Sequence, residues 1–176
     1  MDNISYKDVE PGDKTAQKAI VTALLFLMGR AMPAIAQKDE EVKKEIDQWE
    51  EGFSFLFEIL PDGPYLAMEK KDGMLQFVGM ERINADLIIS VKNIDSAFKM
   101  FTTQISSHNA YAQHRMSIQG ENDKAMQLIR CLNIVQFLLF PGFLSKRILK
   151  RQPEMSMQRW LTRLYAYLVA VPLGRS

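Results

Sequence analysis

The 176-residue sequence predicts an α+β fold: a five-stranded, antiparallel-rich sheet covered on one face by helices, with N- and C-terminal helical extensions. The first observation behind this is a change of apolar period at Phe53, where Phe53, Phe55, Phe57 and Ile59 begin to alternate with Ser54, Leu56 and Glu58. The second is turn chemistry: Pro61-Asp62-Gly63-Pro64 and Asp72-Gly73 punctuate two further apolar runs, as a meander requires. The third is the segment Asp123 to Phe140, which is apolar around most of a helix and so needs a sheet and other helices to cover it.

Ahead of the sheet, Asp13 is placed to cap a helix with Ala16, Ala19, Ile20, Ala23, Leu24 and Leu27 at helical spacing, ending at Gly29 and Pro33. Val42, Ile46 and Trp49 then repeat between charged residues, giving a short amphipathic helix that ends near Gly52. Strands are expected at Phe53 to Ile59, Tyr65 to Lys70, Met74 to Met80 and Ala85 to Val91. Asn93 starts a helix that places Ile94, Ala97, Phe98 and Phe101 on one side. A connector, Ser106 to Ala110, leads to a fifth strand. There Ala112, His114, Met116 and Ile118 face one way, Gln113, Arg115, Ser117 and Gln119 the other, and Gly120 ends the run. In the helix Asp123 to Phe140 the polar stripe is Gln127, Arg130, Asn133 and Gln136. After Pro141-Gly142 come a short basic helix and a last helix with Met157, Trp160, Leu161, Leu164, Tyr165, Leu168 and Val171 on one stripe. The organisation is therefore N-terminal helices over residues 1–51, a core over 52–140 and a basic amphipathic extension over 141–176.

Hydrophobic residues at 47% and charged residues at 24% exclude wholesale disorder. The single cysteine, Cys131, excludes a disulfide framework within the chain and a zinc site built from several cysteines. It lies among apolar helix residues, where a thiol behaves as an inert small hydrophobe. With two histidines, His108 and His114, no metal site is expected, and no cofactor motif is present. There is no phosphate loop or nucleophile elbow, and Glu40-Glu41 and Glu50-Glu51 read as solvated helix faces, so no catalytic residues are assigned and the chain is not read as an enzyme.

Residues 120–176 carry nine Lys and Arg against three Asp and Glu, while residues 1–52 carry seven against eleven. The basic residues interleave with Leu, Phe, Ile and Met, which suits an anionic membrane surface. Nucleic acid is excluded as a partner, because only Lys146-Arg147 and Lys150-Arg151 favour it and stacking aromatics on an exposed strand face are missing. The apolar run Ala19 to Met28 is half of the roughly 20 residues a spanning helix needs, and Pro141-Gly142 interrupts the run Cys131 to Leu144. Ala34-Ile35-Ala36 has the look of a signal-peptidase site, but Asp2, Asp8, Glu10 and Asp13 precede the apolar run. A cytoplasmic protein, at most peripheral to a membrane, is expected.

Three local motifs carry a resemblance: KDGMLQFVG (Lys71 to Gly79), ADLIISVKNIDSAFKMF (Ala85 to Phe101) and AYAQHRMSIQGEND (Ala110 to Asp123). With the order helix, helix, three meandering strands, strand, helix, strand, helix, they resemble the sterol carrier protein type 2 family over about residues 52–140. The resemblance implies a non-catalytic lipid carrier that holds a fatty acid, acyl lipid, sterol-like or isoprenoid ligand in an internal apolar tunnel. The tunnel lining is expected from Phe55, Phe57, Phe77, Phe98, Phe101, His114, Met116, Ile118, Leu128, Leu132 and Val135. His114 stands where the family commonly has glycine, and is either a headgroup donor inside the cavity or a core histidine satisfied by a backbone carbonyl. Lys146, Arg147, Lys150, Arg151, Trp160 and Tyr165 are expected to face the membrane as a gate. The alternative is an accessory module that docks the same apolar surface on a membrane or partner and assists a lipid- or quinone-metabolising enzyme.

Overall fold

A computed structural model of the chain describes residues 14–102, 104–139, 157–165 and 167. In order these form α1 (Thr15–Lys38), α2 (Glu40–Asp47), β1 (Ser54–Ile59), β2 (Tyr65–Lys71), β3 (Met74–Gly79), β4 (Leu87–Val91), α3 (Ile94–Phe101), α4 (Ser107–Ala112), β5 (Met116–Gln119), α5 (Asn122–Leu139) and α6 (Met157–Tyr165).

The five strands lie in the order β3-β2-β1-β4-β5, with β1 and β4 parallel and every other pair antiparallel. The expected fold class is the observed one. Asp72 and Gly73 both take positive φ (54° and 73°), the geometry that lets a two-residue turn follow the twist of β2 and β3. Register then sorts the side chains. Phe57 opposes Leu66 and Ile89, Phe55 opposes Met68 and Leu87, and Ile59 and Met116 both oppose Val91, so all share the face that meets the helices. β4 starts at Leu87 rather than Ala85 because the Asp86 carboxylate accepts the Ser54 N–H (2.9 Å) and hydroxyl (2.8 Å). Those hydrogen bonds hold the Asp86 carboxyl below the usual carboxylate range.

The opposite face carries Leu56, Glu58 and Ser90, all buried. β3 and β4 flank the β2–β1 pair, so the connector 80–86 crosses that pair. Arg82 on this connector pairs with Glu58 (3.3 Å), whose other oxygen accepts the Ser90 hydroxyl at 2.6 Å.

α1 does not end at Gly29 and Pro33 but runs through both. An interior proline costs about 3 kcal/mol in lost hydrogen bonding and ring clash, whereas each fully buried Met or Ile side chain contributes about 1.5–3 kcal/mol. Met28, Met32 and Ile35 are all fully buried around Pro33, so packing wins. Gly29 is needed for contact: a Cβ there would lie 2.7 Å from the Phe77 ring and 2.8 Å from Leu66. At the other end Lys14 occupies the N-cap position with no side-chain capping bond, and Asp13 lies outside the described residues.

α2 is capped from both directions. The Asp39 carboxylate accepts the Glu41 and Val42 amides (3.1 and 3.2 Å), and the buried Lys70 ammonium of β2 donates to the Ile46, Asp47 and Trp49 carbonyls (3.0, 3.3 and 2.7 Å). The polar stripe of α5 turns toward α2. Arg130 makes a bidentate pair with Glu45 (2.6 and 2.8 Å), and Gln127 accepts the Trp49 indole N–H at 2.7 Å. The Arg130 guanidinium holds the Glu45 carboxyl below its ordinary value. From Leu128 onward the apolar residues of α5 are all buried, while its first turn, at Asn122 and Asp123, is exposed.

The expected fifth strand is shorter by half. Ser106 accepts the Asn109 amide and starts α4, so Ser107–Ala112 is helical. The helix closes with Arg115 N–H donating to the Ala110 carbonyl (2.8 Å) and His114 N–H to the Tyr111 carbonyl (3.0 Å). This is a Schellman closure, and it places His114 at φ 53°, the left-handed position at which glycine is favoured. β5 therefore begins at Met116, with Met116 and Ile118 on the helix-covered face.

Candidate functional site

Phe55, Phe57, Phe101, Met116, Leu128, Leu132 and Val135, expected to line a tunnel, are members of the buried core. Phe57 and Phe101 are in ring contact at 5.6 Å. Phe77, Phe98 and Ile118 are partly buried and pack against that core. His114 is exposed, which corrects both readings of it: neither a donor inside a cavity nor a core histidine occupies this position. The alternation from Ala112 to Ile118 is accidental, because α4 and its closure consume its first half. Of the expected membrane-facing residues, Trp160 is exposed and Tyr165 half-buried with the Lys38 ammonium 4.1 Å above its ring. Lys146, Arg147, Lys150 and Arg151 lie outside the described residues.

An apolar groove of about 620 Å³ opens along α1, lined by Thr15, Lys18, Ala19, Thr22, Ala23, Phe26 and, from beyond β3, Met80. The helical residues recur three and four apart, so they form one flank of the helix. From Thr15 to Phe26 this flank runs about 16 Å at 1.5 Å per residue. Ala19 and Ala23 leave the space, while Phe26 closes one end, edge-on to Phe77 (6.2 Å) and beneath the Arg30 guanidinium (5.2 Å). The Thr22 hydroxyl is satisfied by the Lys18 carbonyl at 2.7 Å. Among the described residues the Lys18 ammonium has no hydrogen-bond or ion-pair partner. The groove offers apolar surface with Lys18 at its edge and Arg30 over the Phe26 ring at one end, and the side chains lining it hold no paired acid and base.

A smaller cavity of about 220 Å³ is lined by Glu50, Glu51, Gly52, Phe53, Asp86, Glu121 and Lys124. Lys124 lies 3.7 Å from Glu50 and 5.1 Å from the Phe53 ring centre. Among the described residues no group of three or more His, Cys, Asp and Glu side chains is arranged to hold a metal ion. Burial pushes the Cys131 thiol up to about 12, leaving it protonated and unreactive at neutral pH.

The helical spacing of Ala16, Ala19, Ile20, Ala23, Leu24 and Leu27 does not mark the groove, since it does not say which flank is covered. The signal that marks it is the pair of small residues Ala19 and Ala23, one turn apart, ahead of Phe26. α1 is long and apolar enough to cross a membrane by length and composition, beyond what the run Ala19 to Met28 suggested, yet 56% of its most apolar stretch is buried in the domain.

The architecture defines a class: an α+β domain in which one helical layer covers a mixed five-stranded sheet. Solved structures similar to this chain belong to the sterol carrier protein 2 group. They include a crystal structure of sterol carrier protein 2, at 14% identity and a TM-score of 0.47 over 65% of this chain and 94% of that one. Another is the sterol carrier protein domain 2 of Helicoverpa armigera, at 16% identity and 0.42, over 82% of this chain and 100% of that one. A third, the SCP2 domain of a ubiquinone synthesis protein, is 10% identical with a TM-score of 0.42, over 69% of this chain and 94% of that one. The likeness is one of fold. No protein-family profile matches the chain, and no curated protein matches it significantly.

Proposed function

We propose that the chain is a non-catalytic carrier of an apolar small molecule, such as a fatty acid, acyl lipid, sterol-like or isoprenoid compound, working in the cytoplasm and at membrane surfaces. The groove along α1 carries this reading: its volume of about 620 Å³ falls within the roughly 300–1,000 Å³ of small-molecule sites, and its walls are apolar. Each methylene transferred into it contributes about 0.8 kcal/mol, so ten would give about 8 kcal/mol before the cost of association. Affinity is then micromolar at best, which suits a carrier that must release its load. Phe77, in ring contact with Phe26, links the groove to the residues expected to line a tunnel, and the ligand's apolar chain ends against this pair.

The test is titration with a fluorescent fatty acid. Ala23→Trp fills the groove from an exposed helix position and is expected to weaken binding tenfold or more while the far-UV circular dichroism stays unchanged. Unaltered affinity in this variant would overturn the groove as the binding site.

A further inference from the structure

An amphipathic helix on the surface of a domain turns its apolar side inward. α6 does the reverse. Thr162 is 3% exposed, whereas Trp160, Leu161 and Leu164 are 52%, 55% and 42% exposed. The helix packs on α5 and is seated by the flank of Thr162, while Tyr165, at the border of the apolar stripe, receives the Lys38 ammonium. Among the described residues, Trp160, Leu161 and Leu164 are thus presented outward on a helix seated by other contacts.

Two partners of different chemistry suit such a stripe, a second copy of the chain and a bilayer. Half-exposed Trp and two half-exposed Leu side chains offer on the order of 300 Å², well short of the roughly 800 Å² per partner of a stable protein interface. Charge separates the two more sharply. Lys124 and Arg130 of α5 are already paired with Glu50 and Glu45, but the sequence from 140 to 176, to which α6 belongs, still carries seven Lys and Arg against one Glu, so two copies brought together there repel while an anionic surface attracts. Tryptophan is also the side chain best suited to the headgroup layer, being apolar in body with one polar N–H.

We infer that α6 docks on an anionic lipid bilayer through Trp160, Leu161 and Leu164, with the adjoining basic sequence supplying long-range attraction. This surface is separate from the groove along α1, so it stands or falls independently of the ligand reading.

The experiment uses the full chain with vesicles of pure phosphatidylcholine or of phosphatidylcholine with about 30% phosphatidylserine, at low and high salt. Co-sedimentation is expected with the anionic vesicles, weakening as salt rises. The double substitution Leu161→Ser with Leu164→Ser, made at positions already exposed, is expected to weaken it tenfold or more while circular dichroism and fluorescent fatty acid binding are retained. Because Trp49 is buried at 3% exposure, acrylamide quenching reports on Trp160, and anionic vesicles are expected to protect it. Vesicle binding that is equal in the double variant, indifferent to lipid charge, or absent in the intact chain overturns the inference. So does a vesicle-free dimer that the double substitution dissolves, which assigns the stripe to a second copy.

Discussion

From Met28 to Ala36, α1 buries every residue except Arg30, whereas from Thr15 to Leu27 it buries Val21 and Leu25. Both halves are rich in alanine and large apolar side chains, so composition does not separate them. What differs is how closely the backbone approaches the sheet. At Gly29 the helix comes so near the Leu66 and Phe77 side chains that a Cβ would have to push them aside, and the residues that follow lie in the core. Ahead of Gly29 the helix is tied to α3, through Lys14 and Asp95, and its remaining flank stays open as the groove. Gly29 marks where a half-exposed helix becomes a core helix.

This contrast predicts unequal sensitivity along one helix. Met32→Ala, at a fully buried position, is expected to cost about 2–5 kcal/mol in urea unfolding. Ile20→Ala, 45% exposed on the same helix, is expected to cost less than about 1 kcal/mol. Equal losses would break the distinction between the halves. Next in size is Gly29→Ala, where overpacking of about 1–3 kcal/mol is set against a gain of about 1 kcal/mol in helix propensity, leaving a net loss of up to about 2 kcal/mol. A stabilised variant would mean that Phe77 swings aside and that close approach does not set the boundary. The smallest effect carries the argument to α4, where backbone conformation also overrides side-chain character. His114→Gly removes a left-handed strain of about 1–2 kcal/mol, partly offset by the entropy glycine adds to the unfolded chain, and is expected to raise stability by up to about 1 kcal/mol. A fall in the unfolding midpoint would show that the imidazole makes a contact worth more than that strain.

The sheet was readable because its signals are local. Alternation from Phe53 to Ile59 and the Asp72-Gly73 turn depend on neighbours one and two residues away, and both appear where the sequence places them. The nearly all-round apolar α5 was equally plain, and the structure buries it. Signals that depend on a distant partner were not readable. Gly29 and Pro33 are helix breakers in isolation, and only the burial of Met28, Met32 and Ile35 by the sheet keeps the helix going. Alternating residues from Ala112 to Ile118 mimic a strand until Ser106 is seen to cap a helix ahead of them. The groove falls in the same category, since periodicity says which residues are apolar and not which flank finds cover.

Lys70 gives α2 a dependence in time as well as in space. Eight residues are too few to hold a helix in water alone, and the carbonyls at the end of this one are satisfied by an ammonium that lies 21 to 24 positions further along the chain. That ammonium is held in place by the pairing of β2 with β1, so its contribution to the last turn of α2 is gained only with a pairing between strands that come later in the sequence. During synthesis this cap cannot be in place before the second strand has been made.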